Sequence, residues 1–308
     1  MNIVALAGGV GGAKLADGLQ RVVGEQLTVV VNTGDDFELH GLHIAPDLDT
    51  VMYTLAGIAN PQTGWGIAGD TFNNLDMITQ YGGEDWFRVG DRDLATHLIR
   101  TQMLRSGSTL TQATQSLTQS LGVRARILPM CNEPVTTVVT TNAGDLTFQE
   151  YFVHRRWQPI MKSYRFHGID KTRLTPEVTD ALQTAQAIIY CPSNPFISID
   201  PIVNVRGMRD LLQKLRVPRI AVTPIIGGEP LNGPAGKMFR ELGMESSAYQ
   251  VAKLYRGLID RFVLDRVDES AARTIKDLSL RVWVTDTVMH NPSSRERLAR
   301  EIIEWAAR

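Results

Sequence analysis

The sequence predicts an α/β fold built on a doubly wound, mostly parallel sheet, with an inserted helical block and a β-hairpin. Short apolar runs typical of buried strands alternate with helical patterns, both at the start of the chain and after residue 187. Between residues 50 and 175 this alternation gives way to helical patterns followed by short β runs. We therefore expect a single domain over residues 1–308, in which approximately residues 50–175 form an inserted subregion.

The composition is that of an ordinary globular protein. Of the 308 residues, 43% are hydrophobic and 21% are charged, which is enough apolar material to bury a real core. The formal net charge of -1 provides no global field that would attract nucleic acid or a membrane surface. We find no secretory signal and no apolar run long enough to cross a bilayer. The expectation is a cytoplasmic protein with neither nucleic acid nor membrane as a partner.

The first predicted strand, Ile3–Ala7, runs directly into a glycine-rich turn and then into a helical pattern with Leu15 and Leu19 on its apolar face. Strand, glycine turn and helix together are typical of phosphate sites, because the N–H groups and the dipole at a helix start favour an anion. The predicted phosphate ligands are Gly8, Gly9, Gly11, Gly12 and Lys14. The alternative is a tight turn that only lets the helix pack on the sheet.

The glycine turn fits neither of two named phosphate motifs. A P-loop would need a glycine, a lysine and a hydroxyl residue in succession, where this chain has Ala13-Lys14-Leu15. The dinucleotide fingerprint would need a third glycine at the position of Lys14.

Four aspartates follow the second predicted strand, Leu27–Val31. They lie in the segments Asn32-Thr33-Gly34-Asp35-Asp36 and Pro46-Asp47-Leu48-Asp49, the second of which precedes a predicted helix. Hard oxygen ligands of this kind suit magnesium, which commonly combines one or two carboxylates with phosphate oxygens. Turn and cap chemistry is the alternative, since aspartate is favoured in both places. His40 and His43 would also permit a zinc site on paper, but we do not assign them as ligands.

A further charged cluster, Gly90-Asp91-Arg92-Asp93, precedes a helical pattern that carries Leu94, Leu98 and Met103. Asp91 is the expected N-cap of this helix. Helix formation does not explain Arg88 and Arg92, because cations are unfavourable at a helix N-terminus. An anionic ligand near this helix start would explain both arginines. Ser108 or Thr109 is expected to open the next helix, which ends at Gly122, and the turn at residues 142–145 predicts a hairpin.

Loops rich in glycine and proline follow the later strands. Pro192-Ser193-Asn194-Pro195 comes after residues 187–191, and residues 224–228 (PIIGG) follow the next strand. Ligands of doubly wound sheets bind beyond the carboxyl ends of the strands, which is where all these loops fall. Turn formation alone could explain each loop, but together they predict a composite phosphate or nucleotide site.

These motifs together resemble the family of 2-phospho-L-lactate transferases, which make the deazaflavin coenzyme F-420. The resemblance runs in order from the first strand to at least residue 260, and two of the motifs are closer to bacterial members. The markers are GGVGGAK (8–14), NTGDD (32–36), PDLDTVMYTL (46–55), GDRDLATHLIR (90–100), CPSNPFISIDPI (191–202), PIIGG (224–228) and GPAGK (233–237).

The resemblance implies a Rossmann-like core, often dimeric, and a magnesium-dependent transfer. The implied donor is a guanosine diphosphate derivative that carries lactate, or enolpyruvate in bacterial members. Its distal phosphoryl group passes to the ribityl hydroxyl of the deazaflavin Fo, and GMP leaves. Residues 50–175 would then form the acceptor side.

Roles follow by position in the matched motifs. The resemblance places Asp49 and Arg88 at the Fo-contacting positions, although Arg88 replaces a lysine expected in archaeal members. We extend the predicted Fo site to Asp91 and Arg92. Asp47 and Asp49 are the predicted catalytic carboxylates. The remaining predictions are metal binding by Asp35, Asp36 and Asp49, and nucleotide binding by Asn32, Ser193, Asn194, Gly227 and Gly228 in addition to the first loop.

Two alternative functions remain open. A related family without transferase activity shares the glycine loop, binds nucleotide-sugars and regulates cell-wall metabolism, but lacks the GDRD and ATH elements found at residues 90–97. An NAD(P)-dependent oxidoreductase is disfavoured by Lys14 at the third glycine position.

Overall fold

The computed structural model describes residues 1–308 and centres on a seven-stranded sheet in which every pairing is parallel. The strands of the chain are β1 Ile3–Ala7, β2 Leu27–Val31, β3 Phe37–Leu39, β4 Leu42–Ile44, β5 Arg126–Pro129, β6 Thr136–Thr141, β7 Gly144–Thr147, β8 Met161–His167, β9 Ala187–Tyr190, β10 Arg219–Val222, β11 Ile225–Ile226, β12 Glu229–Pro230, β13 Arg261–Asp265 and β14 Arg281–Thr285.

Twelve α-helices surround the strands. They are α1 Gly9–Val23, α2 Pro46–Leu55, α3 Asn73–Gln80, α4 Asp91–Arg105, α5 Leu110–Ser120, α6 Pro176–Thr184, α7 Asp200–Asn204, α8 Met208–Lys214, α9 Ala235–Glu241, α10 Ala248–Leu254, α11 Ala272–Lys276 and α12 Pro292–Ala306. None of them is both long and apolar enough to cross a membrane.

The strand order of the central sheet is β14-β13-β10-β9-β1-β2-β5, which confirms the predicted doubly wound α/β architecture. The chain proceeds from β1 outward to β2 and β5, then returns to the other side of β1 and continues through β9, β10, β13 and β14. The direction of winding therefore reverses between β1 and β9. In open α/β sheets this switch point is where ligands bind, at the carboxyl ends of the strands.

The sheet is covered on both faces, because alternate side chains of β1 belong to different cores. Ile3 and Ala5 join a cluster of 31 buried residues that includes parts of α1, α2 and α12. Val4 and Leu6 point the other way, into a cluster of 40 buried residues that includes α6, α8, α9 and α10. Burial on both faces explains why β1 is apolar at every position.

Residues 50–175 interrupt the sheet in two places. Helices α3–α5 follow α2, and β5 then returns to the central sheet beside β2. A separate three-stranded antiparallel sheet, in the order β7-β6-β8, comes next. The predicted hairpin at residues 142–145 is confirmed as the turn between β6 and β7.

Two helix starts test the cap predictions. Thr109 caps α5, where its hydroxyl accepts the Gln112 N–H at 3.2 Å in a capping box. The prediction that Asp91 caps α4 is wrong, because Asp91 is the first residue of the helix itself. The carboxylate of Asp70, from the preceding loop, instead accepts the N–H groups of Arg92 and Asp93 at 2.8 and 3.0 Å.

Candidate active site

The loops that follow β1 and β9 meet at the switch point through Gly8 and Ser193. The Gly8 N–H donates to the Ser193 hydroxyl oxygen at 3.1 Å, and that hydroxyl donates to the Gly8 carbonyl at 2.8 Å. Ser193 is 3% exposed, so the bonds are shielded from water. The structure thus joins two sequence segments that were predicted separately to bind a nucleotide.

Several of the glycines allow this junction to close. A Cβ on Gly11 would lie 2.4 Å from the Pro192 carbonyl oxygen, and one on Gly12 would lie 2.4 Å from the Ser193 hydroxyl oxygen. A Cβ on Gly8 would lie 2.5 Å from a carboxylate oxygen of Asp47. At these distances a side chain would clash, so close packing of this turn against neighbouring segments explains three of the glycines. Such packing is the alternative interpretation of the turn.

The start of α1 nevertheless keeps free N–H groups. Gly9 has φ of +60° and donates its N–H to Asp47 Oδ1 at 2.8 Å. The next two N–H groups, those of Val10 and Gly11, have no protein acceptor, because they precede the first residue that can bond within the helix. Unpaired amides at the positive end of a helix dipole suit an anionic group such as phosphate.

Lys14 lies in the second turn of the same helix and forms no ion pair with any carboxylate of the chain. Partial burial, followed by the charge of Arg295, lowers the pKa of Lys14. Both effects disfavour the bare ammonium group, and an anion beside it would offset them.

Asn32 organises two of the predicted carboxylates. Its side-chain amide donates to Asp47 Oδ2 at 2.9 Å and to Asp35 Oδ2 at 3.2 Å, and its side-chain oxygen accepts the Gly34 N–H at 2.8 Å. Asn32 is fully buried, and these bonds occupy both ends of its amide. Its visible role is therefore to place Asp35 and Asp47 beside the glycine turn.

Burial raises the pKa values of three carboxyl groups in this cluster. Desolvation raises the pKa of Asp35 well above its usual value, with a further contribution from the charge of Asp47. Desolvation also raises the pKa of Asp36, and it raises the pKa of Asp47 to about 6. Asp35 and Asp36 each keep one buried carboxylate oxygen, Oδ1, without a hydrogen-bond partner. Buried, mutually repelling oxygens with free lone pairs are a donor set that fits a hard divalent cation.

Asp49 is two residues after Asp47 in α2, but its carboxylate turns towards α4. Arg100 donates to both of its oxygens: Nη1 to Oδ2 at 3.1 Å, and Nη2 to Oδ1. His97 Nδ1 lies 3.6 Å from Asp49 Oδ2, and His97 Nε2 lies 3.4 Å from a carboxylate oxygen of Asp93. The Tyr53 hydroxyl donates to the other oxygen of Asp93 at 2.7 Å. Asp49 therefore belongs to a buried network that links α2 to α4.

Sequence reasoning did not identify His97 or Arg100 as site residues. The prediction for α4 rested on Leu94, Leu98 and Met103, yet Leu98 is 49% exposed. The helix buries a polar face instead. The available signal was the spacing of Asp93, His97 and Arg100, which at i, i+4 and i+7 share one side of a helix. Asp49, Asp93 and His97 could together hold a metal, although Arg100 already supplies positive charge there.

The two histidines of the β3–β4 hairpin have different partners. His43 Nε2 lies 3.1 Å from Asp36 Oδ2, so this imidazole adjoins the carboxylate cluster. His40 contacts the Glu84 carbonyl oxygen at 3.1 Å through its Nε2. The pair therefore does not form the zinc site that was possible on paper.

The predicted acceptor-side residues near α4 lie in a different environment. Arg88 stacks over Phe72 at 4.3 Å and lines a cavity of about 370 Å³. Asp91 accepts hydrogen bonds from Thr71, Asn73 and Asn74, which lower its pKa, and Arg92 donates to the Ala68 carbonyl at 3.1 Å. Neither Asp91 nor Arg92 is hydrogen-bonded to Asp49, and both have local partners.

Three further residues that the sequence predicts as nucleotide ligands, Asn194, Gly227 and Gly228, lie in loops beside other protein groups. Asn194 accepts the Phe196 N–H at 3.0 Å, and its amide donates to the Met238 sulfur at 3.4 Å. Gly227 and Gly228 form the turn between β11 and β12, where the Gly227 N–H donates to the Asp268 carboxylate at 3.0 Å.

An aromatic cluster begins directly after Asp36 and was not predicted. Phe37 packs against Trp86 and Phe87, with ring centroids 5.8 and 4.9 Å apart. Trp86 in turn stacks on His154 at 5.2 Å, with the rings nearly parallel. We refer to Phe37, Trp86, Phe87 and His154 as the aromatic wall. Because Phe37 directly follows Asp36, the wall begins one residue away from the carboxylate cluster.

Comparisons with solved structures support the fold. A member of the UPF0052 family from Bacillus halodurans superposes with a TM-score of 0.66, covering 98% of this chain and 98% of its own. The two sequences are only 14% identical, so this likeness concerns architecture alone.

Sequence comparisons are much closer and cover whole chains. The 2-phospho-L-lactate transferase of Methanothermobacter thermautotrophicus is 40% identical, over 98% of this chain and 97% of its own. The enzyme of that name from Methanosarcina mazei is 37% identical, over 98% and 99%. The phosphoenolpyruvate transferase of Streptomyces griseus is 38% identical, over 99% and 98%. Residues 3–304 match the family model described as 2-phospho-L-lactate transferase CofD. This chain therefore belongs to the 2-phospho-L-lactate transferase CofD family.

Proposed function

We propose that this protein transfers a 2-phospholactyl or enolpyruvyl phosphate group from a guanosine diphosphate-linked donor to the ribityl hydroxyl of the deazaflavin Fo. The products are GMP and coenzyme F-420-0 or its dehydro form. The carrying observation is the contact between Gly9 and Asp47, which places free helix N–H groups beside a buried carboxylate cluster. Relatives named for both transfers agree with this reaction class.

The donor diphosphate is assigned to the start of α1. The free N–H groups of Val10 and Gly11 would receive its oxygens, and Lys14 would add a charge-assisted contact. Ser193 shapes this site through Gly8 and does not need to touch the ligand itself. As the P–O–P bond breaks, charge grows on the departing GMP, which fixed N–H donors stabilise.

Magnesium is assigned to Asp35 and Asp36, whose unpartnered buried oxygens fit it. When bound there, the ion would supply positive charge to the diphosphate group. Asp49 was also predicted as a ligand, but Arg100 already contacts both of its oxygens, so we assign Asp49 to the acceptor.

In the proposed reaction the ribityl oxygen attacks the phosphorus that carries the three-carbon acid. A new P–O bond forms, the bond to the bridging oxygen breaks, and that oxygen leaves with GMP. Asp49 orients the attacking hydroxyl, because a carboxylate oxygen paired with Arg100 can accept another hydrogen bond. The hydroxyl proton passes to the carboxylate cluster, where burial raises the pKa of Asp47 to about 6, a useful value for a base near neutral pH.

The planar ring of Fo is assigned to the aromatic wall. Stacking on Trp86 would hold the ring while the ribityl chain reaches towards Asp36 and Asp49. Arg88 and its cavity would lie on the same acceptor side.

Product analysis by mass spectrometry tests the proposal. The protein is incubated with magnesium and Fo, and with the lactyl and enolpyruvyl donors in separate reactions. We expect a phosphodiester-linked deazaflavin from at least one donor and no product when Fo is omitted. Binding of guanine nucleotides without turnover of either donor would instead favour the related nucleotide-sugar-binding regulatory proteins.

A further inference from the structure

Arg100 lies at the centre of the buried network between α2 and α4. It is 1% exposed, and its guanidinium donates to both oxygens of Asp49. Nη1 also lies 3.5 Å from the carbonyl oxygen of His43, whose own N–H donates to the Thr101 hydroxyl at 2.8 Å. One side chain thus links α2, α4 and β4.

The network fixes Asp49 from two sides. Arg100 provides a planar fork that matches a carboxylate in one orientation only. His97, which is 2% exposed, lies between Asp49 and Asp93, and the Tyr53 hydroxyl holds Asp93. Rotation of the Asp49 carboxylate would break all its contacts with Arg100, so its direction is set before any ligand arrives.

Stability alone does not account for this arrangement. A buried ion pair is usually no more stabilising than apolar side chains of equal volume, because both charges lose their hydration. Leu98 and Ile99 of the same helix are 49% and 46% exposed, although they could have filled the interface. The helix thus presents its charged face to Asp49, two residues from the Asp47 that contacts the glycine turn.

We propose that Arg100, supported by His97, is a positioning residue for the transfer reaction: it holds the Asp49 carboxylate in the orientation that receives the acceptor hydroxyl. This inference rests on the proposed function. It assigns Arg100 no contact with either substrate. Its effect on turnover should therefore depend entirely on Asp49.

The test compares Arg100→Gln, Arg100→Lys, Asp49→Asn and the double variant Asp49→Asn/Arg100→Gln. The matched control is Arg105→Gln, because Arg105 lies on the same helix and donates to the Gly41 carbonyl of the same hairpin at 2.7 Å. For each protein we would measure kcat, the KM for Fo, the affinity for GDP and Tm.

We expect Arg100→Gln to lower kcat by about 100-fold, the effect of a small misplacement of a reacting group. GDP affinity should change by less than about 3-fold, because the nucleotide is assigned to α1 and not to this network. Arg100→Lys keeps the charge but loses the fork, so it should fall between wild type and Arg100→Gln. Arg105→Gln should keep wild-type kcat.

The double variant gives the sharpest comparison. If Arg100 acts only through Asp49, the kcat of the double variant equals that of Asp49→Asn, and the two losses do not multiply. Multiplied losses, or an Arg100→Gln protein with lower Tm but wild-type kcat and KM, would overturn the assignment. Absence of turnover by the wild-type protein with both donors would overturn the proposed function first, and this inference with it.

Discussion

Ser193 and Gly8 exchange two hydrogen bonds across the switch point of the sheet, at 3.1 and 2.8 Å. The bonds hold the loop after β9 against the loop after β1, which are 185 positions apart in the chain. Because no side chain fits between them, the shape of the glycine turn depends on its partner loop.

The first prediction concerns Gly12→Ala. Alanine is usually preferred to glycine inside a helix by about 1 kcal/mol, but here its Cβ would meet the Ser193 hydroxyl oxygen at 2.4 Å. Overpacking of this kind costs about 1–3 kcal/mol, so we expect a lower free energy of unfolding and weaker GDP binding. Denaturant unfolding and calorimetry would measure the two effects. Adding Ser193→Ala to Gly12→Ala removes the clashing oxygen, so it should restore part of the lost stability and part of the lost GDP affinity. Wild-type GDP affinity in Gly12→Ala alone would contradict the packing argument.

The second prediction concerns Lys14→Ala. If Lys14 meets a phosphate, its loss should weaken GDP binding by about 1–3 kcal/mol, the usual range for charge-assisted hydrogen bonds. Arg21→Ala on the same helix is the control, because Arg21 lies about two turns beyond Lys14 and is already paired with Asp17. Equal GDP affinity for Lys14→Ala and wild type would place Lys14 outside the site.

The third prediction is a pH dependence of the metal-free protein. Burial and the charge of Asp36 raise the pKa of Asp47 from 3.8 to about 6, so this carboxyl binds its proton more tightly when folded. Its contribution to stability is full below about pH 4 and is lost as the pH rises through about 6. In EDTA, the Tm of wild type should therefore fall relative to that of Asp47→Asn between pH 5 and pH 7.

Magnesium should oppose this loss, because a ligand of the folded state raises Tm. We expect magnesium to raise the Tm of wild type at pH 7 and to have little effect on the double variant Asp35→Asn/Asp36→Asn. An equal magnesium shift in the two proteins would place the metal elsewhere.

The fourth prediction concerns Trp86→Ala in the aromatic wall. Loss of the stacking surface should weaken Fo binding by about 1 kcal/mol or more, seen as a higher KM for Fo. GDP affinity should be unchanged. Tyr81→Ala is the control, because Tyr81 lies just after α3 and is 79% exposed. A normal KM for Fo in Trp86→Ala would remove the wall from the acceptor site.

Local patterns in the sequence predicted the elements that depend on local physics. Buried strands, the glycine turn and the aspartates at strand ends all have short-range signatures, and the structure places Gly9, Asn32, Asp35 and Asp47 in one connected group. The sequence predicted a doubly wound sheet, but it did not give the strand order that places Ser193 beside Gly8.

What sequence reasoning missed depends on contacts between distant segments. Arg100 and Asp49 are 51 positions apart, and their pairing turns a polar face of α4 inward, whereas the sequence predicts an inward face made of apolar residues. The sequence predicts Asp91 as the cap because its position matches that of a helix start, whereas Asp70 from the preceding loop accepts N–H groups in the first turn of the helix. Neither pairing has a signature within one local window.

The identity of the released nucleotide tests the central claim most directly. The wild-type protein, magnesium, Fo and the guanylated donor are incubated together, and nucleotides and deazaflavins are quantified by chromatography over the same time course. The proposed attack breaks the bond between the bridging oxygen and the phosphorus that carries the three-carbon acid, so GMP should appear in a one-to-one ratio with the phosphodiester-linked deazaflavin. Release of GDP or of inorganic phosphate in place of GMP would contradict the account.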